Sequence, residues 1–366
     1  MTHDSSVPAA ASPAADRAGP LAEGAPPDLS ATAKTADPAL IRRTLIQVSA
    51  LLTLASCVSL ASLAEFLDGP DGVLPSDLAD WVQFGSALIT ALWLTWTVSQ
   101  RLSPVTSQPT QRRHGIPRLV GTAVGLAVVV YATTPSSSRL GDYVGGAIHG
   151  CLLAWLAVEV CRAHGVPLRA GFLTADARQQ RQTWIITKWA FVACAMGPAA
   201  TGLLTLFVYW SGIDGIPVLG DGGRSGQDEQ EALLGFDSAW SKAFAYVRTV
   251  AIEDVVIVAA ATTLLTAARR PTWQIYTTIC AIEVALHSYF GVPAIGMAVF
   301  AAGRVWLYRR YGCIAPLMIA HAFYNGVYTE FARLPDPYSA ISAPLLMVVA
   351  LGFDRRLRKR AEGPPP

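Results

Sequence analysis

Charged and Gly/Pro-rich loops divide this chain into a succession of apolar stretches, each close to the length a helix needs to cross a bilayer. A hydrocarbon core is spanned by about 20 predominantly apolar residues, fewer where a span is short or its ends snorkel. Such stretches lie at 45–66, 81–99, 118–134, 143–161, 184–210, 241–267, 273–290, 294–308, 314–332 and 338–353. In lipid every backbone N–H and C=O must be satisfied within its own segment, so runs of this kind are helices. Composition agrees: of 366 residues 52% are hydrophobic and only 15% charged, where soluble domains carry about 25% charged residues. The predicted fold class is all-α, a polytopic transmembrane helical bundle of about ten spans.

The loops carry an independent signal. Arg42 and Arg43 precede the first span, and Glu65, Asp68, Asp71, Asp77 and Asp80 follow it. Basic clusters return at Arg101–Arg118, Arg162–Lys188, Arg269/Arg270, Arg309/Arg310 and Arg355–Arg360, while the 211–240 loop is acidic. Basic loops belong on the cytoplasmic side, and all these clusters fall on one side of a ten-span arrangement. The expectation is a multi-pass protein of the cell membrane with both termini cytoplasmic and the lipid bilayer as its solvent. Residues 1–40, rich in Ala, Pro, Ser and Asp without apolar periodicity, read as a disordered cytoplasmic tail. The first apolar run starts too far in for a cleavable leader. Residues 354–366 read as a basic cytoplasmic tail. The six cysteines form no C-x-x-C pair and read as small buried thiols. No basic stripe interleaved with aromatics is present, so nucleic acid is not an expected partner.

Ionisable residues within the spans are few, and each costs about 2.5–3.5 kcal/mol at mid-bilayer, so they tend to face the bundle interior and to serve function. Glu253 and Asp254 are adjacent in Val250-Ala-Ile-Glu-Asp-Val-Val-Ile-Val258. Adjacent helical residues diverge by about 100°, so the two are not expected to serve one small site equally. Glu283 stands one turn before His287 on the same face and is placed to orient its imidazole. His321 and Asn325, spaced i and i+4, stack on one face; they suit either the stabilisation of an oxyanion or hydrogen bonding between helices. His149 has no partner one turn away and reads as packing, Arg248 reads as a snorkelling cation, and Gly296 and Gly303 share a close-packing face. His3, His114 and His164 fall in the tail or loops and are assigned no role.

An acid, a histidine and a His/Asn pair on three successive late spans are the components of peptide hydrolysis by activated water. Glu253, His287 and His321 are also a sufficient donor set for a catalytic zinc with an open position, so metal-dependent and metal-free routes both stand. At these residues the sequence resembles the CPBP family, also called the type II CAAX prenyl endopeptidase or Abi family, of intramembrane proteases. Members carry Glu-Glu-x-x-x-Arg, then Phe-x-x-x-His, then His-x-x-x-Asn or Asp; Glu253-Asp254, His287 and His321/Asn325 match these positions. The text around them is similar too, in His287-Ser-Tyr-Phe-Gly291, Val305-Trp-Leu-Tyr-Arg-Arg-Tyr-Gly312 and Ala315-Pro-Leu-Met-Ile-Ala-His-Ala-Phe-Tyr-Asn325, with Gly171-Phe-Leu-Thr174 ahead of them. Val258 stands where the family has arginine, and Glu283 where it has phenylalanine.

The resemblance divides the chain into N-terminal transmembrane helices at 41–164 and a protease-like core at 165–353. It implies an endopeptidase acting on a peptide or protein in or at the membrane. Glu253 would activate water with help from His287, His321 and Asn325 would hold the oxyanion, and Asp254 would support them. The departures at Val258 and Glu283 motivate the alternative, a catalytically impaired member serving as a bacteriocin-immunity or membrane scaffold protein. A transporter or proton relay would also use such residues, but the inverted repeats and broken helices it calls for are not evident in the sequence.

Overall fold

The computed structural model describes residues 38–68, 73–75, 77–102, 139–169, 171, 177–211 and 238–332, with isolated positions between 120 and 125 and between 345 and 352. Helices α1 (Pro38–Asp68), α2 (Leu78–Leu102), α3 (Arg139–Ala163) and α4 (Ala177–Ser211) come first. Next is α5, continuous over 239–267, followed by α6 (Thr272–Leu286), α7 (Met297–Tyr311) and α8 (Ala315–Ala332). No strand occurs among the described residues; one isolated bridge joins Arg169 to Cys313. The all-α expectation therefore holds.

Helices occupy eight of the expected apolar stretches. Four of them hold segments long and apolar enough to cross a membrane: Pro38–Glu65, Tyr143–Ala163, Gln182–Val208 and Ala239–Ala267. These mark a membrane protein. The expected spans at 118–134 and 338–353, and the tails at 1–37 and 354–366, lie outside the described residues apart from isolated positions. The apolar outer surface fits a lipid environment: Leu92, Leu203, Leu206 and Phe207 are exposed along it, and Trp81, Trp184, Trp210, Trp240 and Trp273 lie toward helix ends, where indole rings suit the interface. All six cysteines are free, but only Cys161 and Cys194 are buried, while Cys151 is exposed on the outside of α3.

Helix α5 is the axis of the bundle. Ser238 caps it: its Oγ accepts from the Ser241 N–H at 3.1 Å and the Ser241 Oγ accepts from the Ser238 N–H at 2.9 Å. Its central ten residues, Ala251–Ala260, are all buried; a helix apolar almost all round belongs in a core. They pack on α1 and α3 on one side and on α6, α7 and α8 on the other. Helix α4 lies along α7 and α8.

Two glycines are required by close approach. A Cβ on Gly296 would stand 2.4 Å from the backbone nitrogen of Thr201 in α4. Gly171 combines φ +67 with a would-be Cβ 2.7 Å from the Cβ of Cys313, next to the Arg169–Cys313 bridge. Gly303 faces Ala193, so the Gly296/Gly303 face packs helix against helix as its spacing indicates. Helix α6 stops at Leu286, short of the predicted 290, because two 3₁₀ turns around Gly291 (φ 68) and Pro293 redirect the chain before α7.

Candidate functional site

The acid pair sits where α5 changes its winding. Over Ala251–Ala260 the helix is of the π type, and the Ala261 N–H bonds back to the Val256 carbonyl, five residues earlier. The wider i→i+5 turn sets successive side chains closer in angle than an α-helix does, and such insertions recur at functional sites. Glu253 and Asp254 consequently both reach the same group on α7, contrary to the divergence expected of adjacent helical residues.

That group is Arg304. Its side chain is fully buried, with Nη1 donating to Asp254 Oδ1 at 2.9 Å and Nη2 approaching Glu253 Oε2 at 3.4 Å. Nη2 also donates to Glu283 Oε1 on α6. The Phe300 ring covers the guanidinium at 3.6 Å from Cζ, a cation–π contact that strengthens as water is excluded. One guanidinium thus ties three carboxylates from two helices to a third helix. Arg304 Nε and Glu283 Oε2 are buried without a hydrogen-bond partner, so the cluster is not fully satisfied internally.

His321 on α8 joins beside the guanidinium, its Nδ1 3.4 Å from Arg304 Nη1. Its Nδ1 lies 3.0 Å from Asp254 Oδ2, and its Nε2 lies 3.9 Å from Glu253 Oε2. With the Nδ1 proton donated to Asp254, the Nε2 lone pair is left facing Glu253. Among the described residues this is the imidazole within 4 Å of Glu253. His287 at the end of α6 is instead held by its own helix, with Nδ1 2.8 Å from the Glu283 carbonyl and 3.9 Å from Glu283 Oε2. The Phe300 ring separates the two histidines, with centroids 6.2 Å from His287 and 5.2 Å from His321. Asn325, one turn beyond His321, is half-buried, and its carbonyl accepts from Thr329 Oγ1 at 2.7 Å. The structure therefore gathers Glu253, Asp254 and His321, with Glu283 bridging to His287 and Asn325 next along α8.

Among the described residues, four buried charged residues lie outside the sequence-derived site set: Arg304, Glu159, Lys188 and Lys242, the last paired to Glu330 at 3.3 Å. Arg304 has the signal of a lone cation inside the apolar run from Met297 to Leu307, obscured by Arg309 and Arg310 just after it. Glu159 on α3, buried and paired to Arg162 at 2.7 Å, has the signal of an acid one turn before a basic residue. His149 is buried between helices, in keeping with its reading as packing, while Arg248 lies against α3 rather than snorkelling outward. His149 Nε2 meets Ser86 Oγ at 3.0 Å across α2 and α3. Arg248 lies across Gly146 and Gly150 of α3, with Cδ 3.4 Å from where a Gly146 Cβ would be, because those glycines leave a groove for its stem.

The donor set does not fit a metal ion as arranged. Glu253, His287 and His321 do not converge, the guanidinium of Arg304 stands among the carboxylates a cation would need, and no three His, Cys, Asp or Glu side chains group around one point among the described residues. Comparison with protein-family models, curated proteins and solved structures finds no significant match.

Proposed function

We propose that the chain is an intramembrane endopeptidase that hydrolyses a peptide bond of a membrane-associated protein or peptide with water activated by Glu253. The observation that carries this reading is the 3.9 Å gap between Glu253 Oε2 and His321 Nε2, with His321 fixed from behind by Asp254 at 3.0 Å. A water bridging that gap at ordinary hydrogen-bond lengths of about 2.8 Å to each atom would subtend roughly a right angle, close to its own bond angle. It would give one hydrogen to each group and turn a lone pair outward.

As the water oxygen adds to the scissile carbonyl carbon, Glu253 takes one of its protons. The carbonyl becomes a tetrahedral oxyanion, for which Asn325, one turn beyond His321 on α8, offers an amide donor. Glu253 then passes the proton to the departing amine nitrogen as the C–N bond breaks, leaving a carboxylic acid and an amine. Glu253 suits the exchanging role because its side chain is 11% exposed, whereas Asp254 and Glu283 are fully enclosed.

The test is cleavage of a quenched fluorescent peptide with an apolar anchoring flank by the protein reconstituted in liposomes. Wild type should cleave it. Glu253→Gln should lose activity by about 1,000-fold or more and His321→Ala by about 100–10,000-fold, the range for a lost acid–base group, with melting curves unchanged in shape. Full activity in a folded Glu253→Gln protein overturns the reading. A second reading is favoured by the engagement of all three carboxylates with Arg304: a polar lock in a scaffold or immunity protein. It expects biological protection to survive Glu253→Gln.

A further inference from the structure

We infer that Arg304 and Glu283 are a positioning pair, which fixes the Asp254–His321 dyad and leaves Glu253 as the one carboxylate free to exchange protons; this rests on the hydrolytic reading above. The contacts of Arg304 are graded. Its bonds to Asp254, at 2.9 Å, and to Glu283 are short, while that to Glu253 is 3.4 Å. Exposure follows the same order, since the side chains of Arg304, Asp254 and Glu283 are fully enclosed and Glu253 alone of the four keeps some exposure, 11%.

Each terminal nitrogen has a distinct task. Nη1 holds Asp254 Oδ1, which directs Oδ2 to His321 Nδ1 and thereby aims Nε2 at Glu253. Nη2 is held by Glu283, which stops the guanidinium from closing fully on Glu253. Glu283 is anchored in turn on α6, where its backbone carbonyl holds His287 Nδ1. Phe300 fills the face of the guanidinium at 3.6 Å, so the side chain has no room to swing away. Remove Glu283, and Nη2 has only Glu253 left to bind; the base becomes a salt-bridge partner. Remove Arg304, and Asp254 loses the group that orients it. Arg304 lies 3.4 Å from both Glu253 Oε2 and His321 Nδ1, and Glu283 reaches them through Arg304, so the pair acts on the base and the imidazole rather than on substrate atoms.

The experiment is a double-mutant cycle in liposomes with the same quenched peptide, comparing Arg304→Met, Glu283→Met, the double variant and Arg304→Lys. Misplacing a catalytic group by an ångström costs about 100-fold. Arg304→Met should therefore lower kcat by about that factor with KM within about twofold, and Glu283→Met should lower kcat by about 10–100-fold. The double variant should fall no further than Arg304→Met, because Glu283 acts through Arg304. Arg304→Lys, a point charge without the fork geometry, should restore part of the loss. Should Arg304→Met fail to fold, the double and Lys variants, which keep the core free of the largest charge imbalance, carry the comparison. The pair is rejected if the double or Lys variant keeps wild-type kcat, if the two single losses multiply, or if they fall on KM alone. Loss in Glu253→Gln together with any of these rejects the pair and leaves the hydrolytic reading; activity in Glu253→Gln removes both.

Discussion

Several ionisable groups in this bundle meet partners on other helices, and the consequence is most easily measured at the rim. His164, just beyond α3, places Nδ1 3.2 Å from Thr44 Oγ1 and Nε2 against Gln47, both on α1. Burial, reinforced by the positive charge of Arg43, holds its pKa below the ordinary 6.5. Above that value the imidazole is neutral in folded and unfolded chains alike, and its full contribution is present. Below it the unfolded chain takes up the proton first, so stability falls with pH until the folded-state pKa is reached. Melting temperature measured from about pH 8 to about pH 5, bracketing the usual histidine pKa, should drop in wild type, and the drop should be smaller in His164→Gln. An unchanged slope would show that His164 is not the group responsible. At this scale the sequence identifies acids and histidines because lipid makes them costly. It conceals Arg304, whose neighbours Arg309 and Arg310 make any nearby cation read as part of a snorkelling cluster, and it conceals which carboxylate each imidazole meets, because that pairing is set by the rotation of three helices.

The elements owe their positions to small residues and to one change of helical winding. Periodicity locates α1, α3, α4 and α5 well, since each needs a long apolar run. It does not disclose the π segment at Ala251–Ala260, because an extra backbone residue in a turn leaves an all-apolar pattern unchanged, and the end of α6 depends on local turns at Gly291 and Pro293 rather than on hydropathy. The spacing of Gly296, at the N-cap of α7, and Gly303 within α7 is more informative, and its cost can be measured. At Gly296 a methyl group would meet the Thr201 backbone at 2.4 Å, and backbone in a packed helix cannot rotate aside as a side chain can. Gly296→Ala should destabilise the protein by about 1–3 kcal/mol, the usual cost of overpacking. Gly202→Ala, exposed with open space around its would-be Cβ, is the matched control and should melt close to wild type. Equal melting temperatures for the two variants would show that α4 and α7 do not approach this closely.

For the whole molecule, the acid pair and its arginine lie in the half of the bundle that α5 shares with α6, α7 and α8, so the direction in which α5 crosses the membrane orients the site. Helix α5 is one of the four long apolar helices. It connects an acidic stretch, with Asp221, Asp228, Glu229 and Glu231, to Arg269 and Arg270. Positive charge is retained on the cytoplasmic side, and the prediction from it is that the start of α5 faces outside and its end inside. Glu253 is the central residue of the 29-residue span Ala239–Ala267, so the acid pair sits at mid-depth in either orientation and the orientation decides which face its helix neighbours open toward. Single cysteines in a cysteine-free background decide this. Ser225→Cys should react with a membrane-impermeant maleimide in intact cells, and Thr272→Cys, exposed at the start of α6, only after permeabilisation. The reverse pattern would invert the protein while leaving Glu253 at mid-depth. Equal labelling in intact cells would mean that α5 does not cross, which would leave the Glu253–His321 gap without the lipid-shielded setting that an intramembrane hydrolase requires.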